Sequence, residues 1–131
     1  MATIKRFEDL EIWQESRRLS KEIILLSKTT DLKTDFKLKG QIKSSSGSVM
    51  DNIAEGFERN GNGEFKQFLS VAKGSAGESR SQLYRVFDND YITEEKLNML
   101  VADYEKLSIK IHNFITYLNN NDFKGTKFIK P

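Results

Sequence analysis

Few residues in this sequence combine the side-chain type and the spacing that catalysis or metal binding requires. The only histidine, His112, stands at the edge of an apolar pattern, where a packing or surface role is expected. The absence of cysteine excludes disulfides and thiolate metal ligands. Glu94 and Glu95 suit the first turn of a helix, and "NGNGEF" at residues 60–65 has neither the preceding strand nor the lysine of a phosphate-binding loop. The sequence therefore predicts no enzyme, no metal or other cofactor and no small-molecule substrate.

A series of polar side chains has the spacing that places it along one side of a helix. Its members, separated by 4, 4, 3 and 4 residues, are Ser44, Ser48, Asn52, Glu55 and Arg59. Glu55 and Arg59 can form an ion pair at i and i+4. Two interpretations are open: a solvated surface with an ordinary ion pair, or a surface that faces a partner, with Asn52 and Glu55 hydrogen-bonded across it.

Basic residues are concentrated in the first third of the chain. Residues 1–43 hold ten Lys or Arg against seven Asp or Glu, residues 44–121 hold eight against eleven, and residues 122–131 hold three against one. The basic cluster that we predict as a nucleic-acid site consists of Lys33, Lys37, Lys39 and Lys43. The alternative is that these lysines form a solvated face that keeps the protein in solution.

Four segments position these residues, and each shows apolar residues at helical period. The pattern predicts helices over about 8–28 and 35–59, a third between the turns at 60–63 and 88–90, and a fourth over about 93–120 with Thr93 as its N-cap. Short connections favour an all-α, antiparallel up-down-up-down four-helix bundle. The bundle spans residues 1–121 as a single domain, and a short basic tail follows at 122–131.

The predicted core contains the apolar residues that share the inner faces of these helices. They are Ile23, Ile42, Val49, Ile53, Phe65, Phe68, Leu69, Ala72, Leu83, Leu100, Leu107, Ile111 and Phe114. No apolar run approaches the roughly 18 residues that would span a bilayer, and the N-terminus lacks an apolar signal region. We therefore expect a cytoplasmic protein with no membrane partner.

Glycines and other small residues lie opposite the core faces of helices two and three. We call them the small-residue stripes; they consist of Gly40, Gly47 and Ala54 on helix two and Ser70, Gly74, Gly77 and Ser81 on helix three. The turn at 60–63 places Gly47 level with Ser75, so both stripes sit at mid-height. Four glycines inside helices forfeit about 4 kcal/mol of helix propensity, which close contact between subunits could offset. We predict a homo-oligomer interface here, with Asn52, Glu55 and Arg59 beside it; the alternative is tolerated surface glycines.

Several motifs resemble one protein family over residues 7 to 120. "QIKSSSGSVMDNIAEGFER" at 41–59, "EFKQFLSVAKGSAGESRSQL" at 64–83 and the opening "FEDLEIWQES" at 7–16 are similar to the 23S rRNA intervening-sequence protein family, also called the four-helix bundle protein family. The resemblance implies a four-helix bundle that assembles as a homopentamer. Related bundle proteins are accessory factors of diversity-generating retroelements and associate there with nucleic acid and a reverse transcriptase.

Two functions follow as expectations. In the first, a homo-oligomeric ring, five-fold according to the resemblance, associates with RNA or DNA; five copies would carry a formal charge of +10, since one chain carries +2, and multivalency would strengthen weak contacts. In the second, the ring is a protein-binding scaffold that receives a partner helix or enzyme and has no direct role with nucleic acid.

Overall fold

The computed structural model describes residues 4–121, and these residues form four long helices and two 3-10 turns. The α-helices are α1 (Glu11–Thr29), α2 (Phe36–Glu58), α3 (Asn62–Asp88) and α4 (Glu94–Asn120). The 3-10 turns are Phe7–Asp9 and Asp31–Thr34. No strand is present in this part of the chain. The predicted basic tail at 122–131 lies outside the described residues and stays a prediction.

Local side-chain hydrogen bonds define where three of these elements begin. Thr30 Oγ1 accepts a hydrogen bond from Leu32 N at 3.2 Å and starts the second 3-10 turn. Asp35 Oδ1 accepts from Leu38 N at 3.2 Å at the start of α2. The predicted N-cap of the last helix is confirmed, since Thr93 Oγ1 accepts from Lys96 N at 3.1 Å. These bonds satisfy backbone donors that a helix start leaves without partners.

The first helix begins later than the pattern predicted. Phe7–Asp9 is a 3-10 turn, Leu10 is extended at φ −76° and ψ 125°, and α1 begins at Glu11. The break at Leu10 directs the preceding segment back onto the bundle, so that Ile4 and Leu10 join the core at 5% and 1% exposure. The free energy gained by burying these two side chains outweighs the free energy of extending the helix back to residue 8.

The helices pack as the predicted antiparallel bundle around one apolar core. Each helix packs on the next along the chain, most extensively α2 on α3, and α4 returns to α1. Ion pairs cross the α1–α4 contact at Arg18–Asp103 (3.2 Å), Glu22–Lys96 (3.2 Å) and Glu11–Lys110. Residue numbers rise along α1 as they fall along α4 in these pairs, which shows that the two helices are antiparallel. None of the helices in residues 4–121 is long and apolar enough to cross a membrane.

Twelve of the thirteen predicted core residues are buried, and Phe68 is not. Phe68 is half-buried at the contact between α2 and α3. It faces Gly56 on α2, and the guanidinium of the exposed Arg59 lies over its ring. Its placement in the core was therefore wrong, although the rest of the inner face was predicted from its period.

Candidate nucleic-acid interface and oligomer surface

The predicted basic cluster lies at the connection from α1 to α2. Lys33 belongs to the second 3-10 turn, and Lys37, Lys39 and Lys43 follow on the first two turns of α2. Lys33, Lys37 and Lys43 are exposed, and Lys39 is half-buried. The caps at Thr30 and Asp35 hold the backbone of this connection in one conformation, so they also set where the lysines project.

Two of these lysines are linked by a hydrogen bond. Lys39 Nζ donates to the backbone carbonyl of Lys33 at 3.0 Å and lies 4.9 Å from the centroid of the Phe36 ring. Lys39 and Lys43 share one side of α2, because four residues make about one turn. Lys37 lies on the other side, in an open cleft of about 410 Å³ that is also lined by Glu78 and Gln82. The structure thus brings three of the four lysines to one side and separates the fourth.

Phe36 is a surface residue that the sequence pattern did not identify. Its side chain is 75% exposed, although it is the first residue of α2. The sequence feature that predicts its exposure is its position, because Phe36 follows the N-cap Asp35 and lies outside the apolar inner stripe that starts at Leu38. An exposed aromatic ring beside lysines has the two kinds of group that bind single-stranded nucleic acid.

Acidic residues also lie near the basic cluster, and one of them is hydrogen-bonded to a tyrosine. Tyr91 donates its hydroxyl hydrogen bond to Asp35 Oδ2 at 2.9 Å, and this bond raises the pKa of Tyr91. Both carboxylate oxygens of Asp35 are therefore hydrogen-bonded, one to Leu38 N and one to Tyr91. Asp31 is exposed on the same connection, and Glu78 lines the cleft beside Lys37.

The middle members of the polar series form hydrogen bonds within the chain. Ser48 Oγ lies 3.0 Å from Ser75 Oγ on α3, and Asn52 Nδ2 donates to the carbonyl and the hydroxyl of Ser48 at 2.8 and 2.9 Å. Ser44, Glu55 and Arg59 are exposed. The middle of the series is therefore engaged in hydrogen bonds within the chain, and its other members are exposed.

The last members of the series form the predicted ion pair. Arg59 lies 3.4 Å from Glu55 and 3.7 Å from Glu64, and its guanidinium carbon is 5.4 Å from the centroid of the Phe68 ring. All three charged side chains are about half exposed. Arg59 therefore links the end of α2 to the start of α3 within one chain. Its role, and that of Asn52 and Glu55, at an oligomer interface stays a prediction.

The small-residue stripes lie on the surface, and their glycines are not needed by packing within the chain. Gly40, Gly74, Ser70 and Ser81 are exposed, and Gly47, Ala54 and Gly77 are half-buried. A Cβ atom added at Gly40, Gly47, Gly74 or Gly77 would find no atom within 4 Å beyond its chain neighbours and the backbone of its own helical turn.

The two stripes flank the α2–α3 contact and do not line one groove. The Ser48–Ser75 hydrogen bond marks where these helices face each other and confirms the predicted register. On α3, all four stripe residues lie about 100° or more from Ser75 and within about 80° of Lys66, whose Nζ donates to Asn119 of α4 at 2.9 Å. The α3 stripe thus turns toward α4, whereas the α2 stripe points outward.

Among the glycines of residues 4–121, Gly56 is the one at which packing within the chain leaves no room for a side chain. A Cβ atom there would lie 2.6 Å from the Cβ of Phe68 and 3.0 Å from Cδ1 of Phe65. The signal that the sequence carries for this role is a spacing of three from Ile53, which places Gly56 on the inner face of α2.

Polar groups also occur in the core, where they form a small hydrogen-bonded layer. Ser45 Oγ lies 2.8 Å from Ser79 Oγ and donates to Gln82 Oε1 at 2.6 Å. Burial raises the pKa of the Tyr104 hydroxyl, and the nearby Ser79 hydroxyl only partly offsets that effect. The layer contains no histidine or carboxylate that could act as a base, and His112 is exposed on α4. In residues 4–121 no group of three His, Asp or Glu side chains could hold a metal ion.

Comparison with known proteins supplies the family. The model of the family described as 23S rRNA-intervening sequence protein matches residues 8–113. No curated protein matches the chain. A crystal structure from Bacteroides thetaiotaomicron, described as a protein with unknown function from the S23 ribosomal protein family, is 22% identical, covers 80% of this chain and 95% of its own, and superposes with a TM-score of 0.74. This likeness shows the fold, and neither comparison indicates an enzyme family. Because the family match spans most of the sequence, the chain belongs to the 23S rRNA-intervening sequence protein family.

Proposed function

We propose that this protein is a non-enzymatic, cytoplasmic homo-oligomer, a five-membered ring, that associates with RNA through the basic cluster at the α1–α2 connection. One observation carries the proposal: none of Lys33, Lys37, Lys39 and Lys43 forms an ion pair with any residue in 4–121. Four cationic side chains without acidic partners therefore lie within eleven residues of the chain.

Some of the other basic residues of the bundle are already paired with carboxylates, unlike the four lysines of this cluster. Arg18 contacts both Glu15 and Asp103, and Lys96 contacts Glu22. A paired cation must exchange its carboxylate for a phosphate, so it gains little from binding nucleic acid. An unpaired lysine neutralises a phosphate and releases a counterion, which is the main source of affinity for nucleic acid.

Assembly into a ring would multiply this weak attraction. Gly40, Gly47, Gly74 and Gly77 have no packing role within the chain, and a close contact between copies would give their missing side chains a purpose. Several clusters on one particle would bind one RNA strand together, and the second contact would form at a high effective concentration. The number five comes from the resemblance to the family.

The test is RNA binding with matched charge variants. Lys37→Ala, Lys39→Ala and Lys43→Ala are combined in one variant, and the control combines Lys5→Ala, Lys21→Ala and Lys106→Ala, which are exposed residues elsewhere. Fluorescence anisotropy of a labelled single-stranded RNA is measured between 50 and 300 mM NaCl.

We expect the cluster variant to lose affinity by about tenfold or more and its log–log salt slope to become shallower by about 2, since each phosphate contact contributes roughly 0.7 to that slope. The control has the same net charge and should stay close to wild type. Equal losses of affinity in both variants would contradict a localised site. If the wild-type protein does not bind RNA at all, the protein-binding scaffold is favoured.

A further inference from the structure

We infer that Phe36 is a stacking surface for an unpaired base, so that the basic cluster prefers single-stranded to double-stranded nucleic acid. The inference rests on the proposed function, since it names the class of nucleic acid bound by the same site. The ring of Phe36 is the stacking surface, and Lys39, which is hydrogen-bonded to the backbone of Lys33, contacts that ring.

Exposure of the ring is the first observation. At 75%, Phe36 is the most exposed large apolar side chain in residues 4–121; the next is Ile109 at 60%. The start of α2 does not need an aromatic residue there, because Asp35 caps the helix and Leu38 provides its first buried side chain. Exposed aromatic area is unfavourable in water, and stacking on a base would remove it from water.

The ring also has a contact that favours one orientation. Lys39, three residues along the helix, places its Nζ 4.9 Å from the ring centroid, and the same Nζ donates to the carbonyl of Lys33 at 3.0 Å. The ammonium group covers one face of the ring in a cation–π contact. Because the ring is 75% exposed, its opposite face is open to an incoming base. A prearranged aromatic face loses less conformational freedom on binding than a mobile one.

Charge around the ring favours nucleic acid over a second copy of this chain. Lys33, Lys37 and Lys39 lie within four residues of Phe36 in sequence, and none has an acidic partner in the described part of the chain. The nearby acids are Asp31, which is exposed, Asp35, whose two carboxylate oxygens accept hydrogen bonds, and Glu78, which lines the cleft beside Lys37 without pairing with it. A symmetric contact between copies through this surface would bring like charges together, whereas a nucleic-acid backbone would neutralise them.

Stacking on Phe36 would discriminate between strand forms. A base in a duplex already stacks on both neighbours, so a side chain can reach its face only after the base is displaced. An unpaired base offers its face without that cost, and stacking on an aromatic side chain tolerates any base. Lysines alone would bind both forms, because both present phosphates.

The experiment compares a fluorescein-labelled, unstructured 12-nucleotide RNA with the 12-base-pair duplex of the same sequence. The variants are Phe36→Leu, which keeps an apolar side chain without an aromatic face, and Phe36→Tyr, which restores that face. Both sit at an exposed position, so the fold should be kept, and circular dichroism checks it. By anisotropy we expect Phe36→Leu to bind the single strand about 5- to 50-fold more weakly, Phe36→Tyr to stay within about twofold of wild type, and duplex affinity to change by less than about twofold.

A direct readout comes from Phe36→Trp, with the emission of Trp13 in the wild type as background. Single-stranded RNA should quench the new tryptophan, and the duplex should not. If Phe36→Leu binds the single strand like wild type while the lysine variant loses binding, the inference is overturned and the proposed function stands. If the lysine variant also binds like wild type, both fail. A lower assembly mass for Phe36→Leu would assign the ring to a contact between copies and overturn the inference.

Discussion

Gly56 and Phe68 approach each other so closely that a methyl group on Gly56 would lie 2.6 Å from the Cβ of Phe68. This contact joins the end of α2 to the start of α3. Gly56→Ala should destabilise the protein by about 1–3 kcal/mol, because α3 must shift to admit the new atom. Denaturant unfolding followed by circular dichroism measures the change.

Gly63→Ala is the matched control for that substitution. Gly63 lies in the first turn of α3, outside the small-residue stripes, is exposed, and has no neighbouring atom within 4 Å of an added Cβ. Alanine there should stabilise the helix by up to about 1 kcal/mol. If both alanine variants changed stability in the same direction, the close approach at Gly56 would not be the cause.

Two phenylalanines on α3 should differ in their contribution to stability. Phe65 is fully buried at 0% exposure and contacts the rings of Phe57 and Phe114. Phe68 is half-buried beneath the guanidinium of Arg59. We expect Phe65→Ala to lower the free energy of unfolding by about 3–5 kcal/mol and Phe68→Ala by about half as much. Chemical denaturation of the two variants checks the ratio, and equal losses would show that Phe68 is a core residue after all.

Helix periodicity predicted most of this fold because each helix buries one face. The break at Leu10 escaped prediction because it depends on the burial of Ile4 and Leu10 against distant residues, and no local residue type signals it. Phe68 was misplaced for a related reason: its position on the apolar face is visible in the sequence, but its partial exposure depends on its neighbours from α2, Gly56 and Arg59. Contacts between helices decide burial at the edge of a face.

The candidate site was predicted by composition more than by geometry. Counting charges identified the four lysines, yet their division between two sides of α2 follows from their positions on the helix. Phe36 was missed because an aromatic residue is expected in the core, and only the structure shows that α2 begins with this ring in water. The hydrogen bond of Ser48 was missed because its partner, Ser75, belongs to another helix. Asn52 in turn donates to Ser48 on its own helix.

Tyr104 should make stability depend on pH in the alkaline range. Burial raises the pKa of this hydroxyl in the folded protein, whereas in the unfolded chain it ionises near its ordinary value of about 10. Tyr104 therefore does not lower the free energy of unfolding below pH 10. Above pH 10 the hydroxyl ionises in the unfolded chain but stays protonated in the folded protein, which stabilises the unfolded state. The free energy of unfolding should therefore fall by up to about 1.4 kcal/mol per pH unit in this range.

Tyr104→Phe removes the ionising group and keeps the ring, so the difference between the two proteins isolates its effect. Free energies of unfolding measured from pH 8 to 11 should diverge above pH 10, with wild type falling more steeply. Parallel curves for wild type and Tyr104→Phe would contradict the assignment.

Gly74 provides the test of assembly. It is exposed on α3, in the stripe that turns toward α4, and no atom lies within 4 Å of an added Cβ. A leucine at this position is therefore compatible with the isolated bundle but not with a neighbouring helix packed closely on the stripe. Light scattering at matched concentrations should give an oligomeric wild type and a lower mass for Gly74→Leu, while circular dichroism shows unchanged helix content.

Two further variants separate a contact from a surface effect. Lys106→Leu adds the same side chain at an exposed position on α4 and should leave the mass unchanged. Gly74→Ala removes the flexibility of glycine with the smallest side chain: on a free surface it would stabilise the protein by up to about 1 kcal/mol with no change in mass. At a close contact it should weaken the assembly, because even a methyl group separates helices that touch through glycine. A monomeric wild type, or a Gly74→Leu variant of full mass, would exclude this surface as the interface.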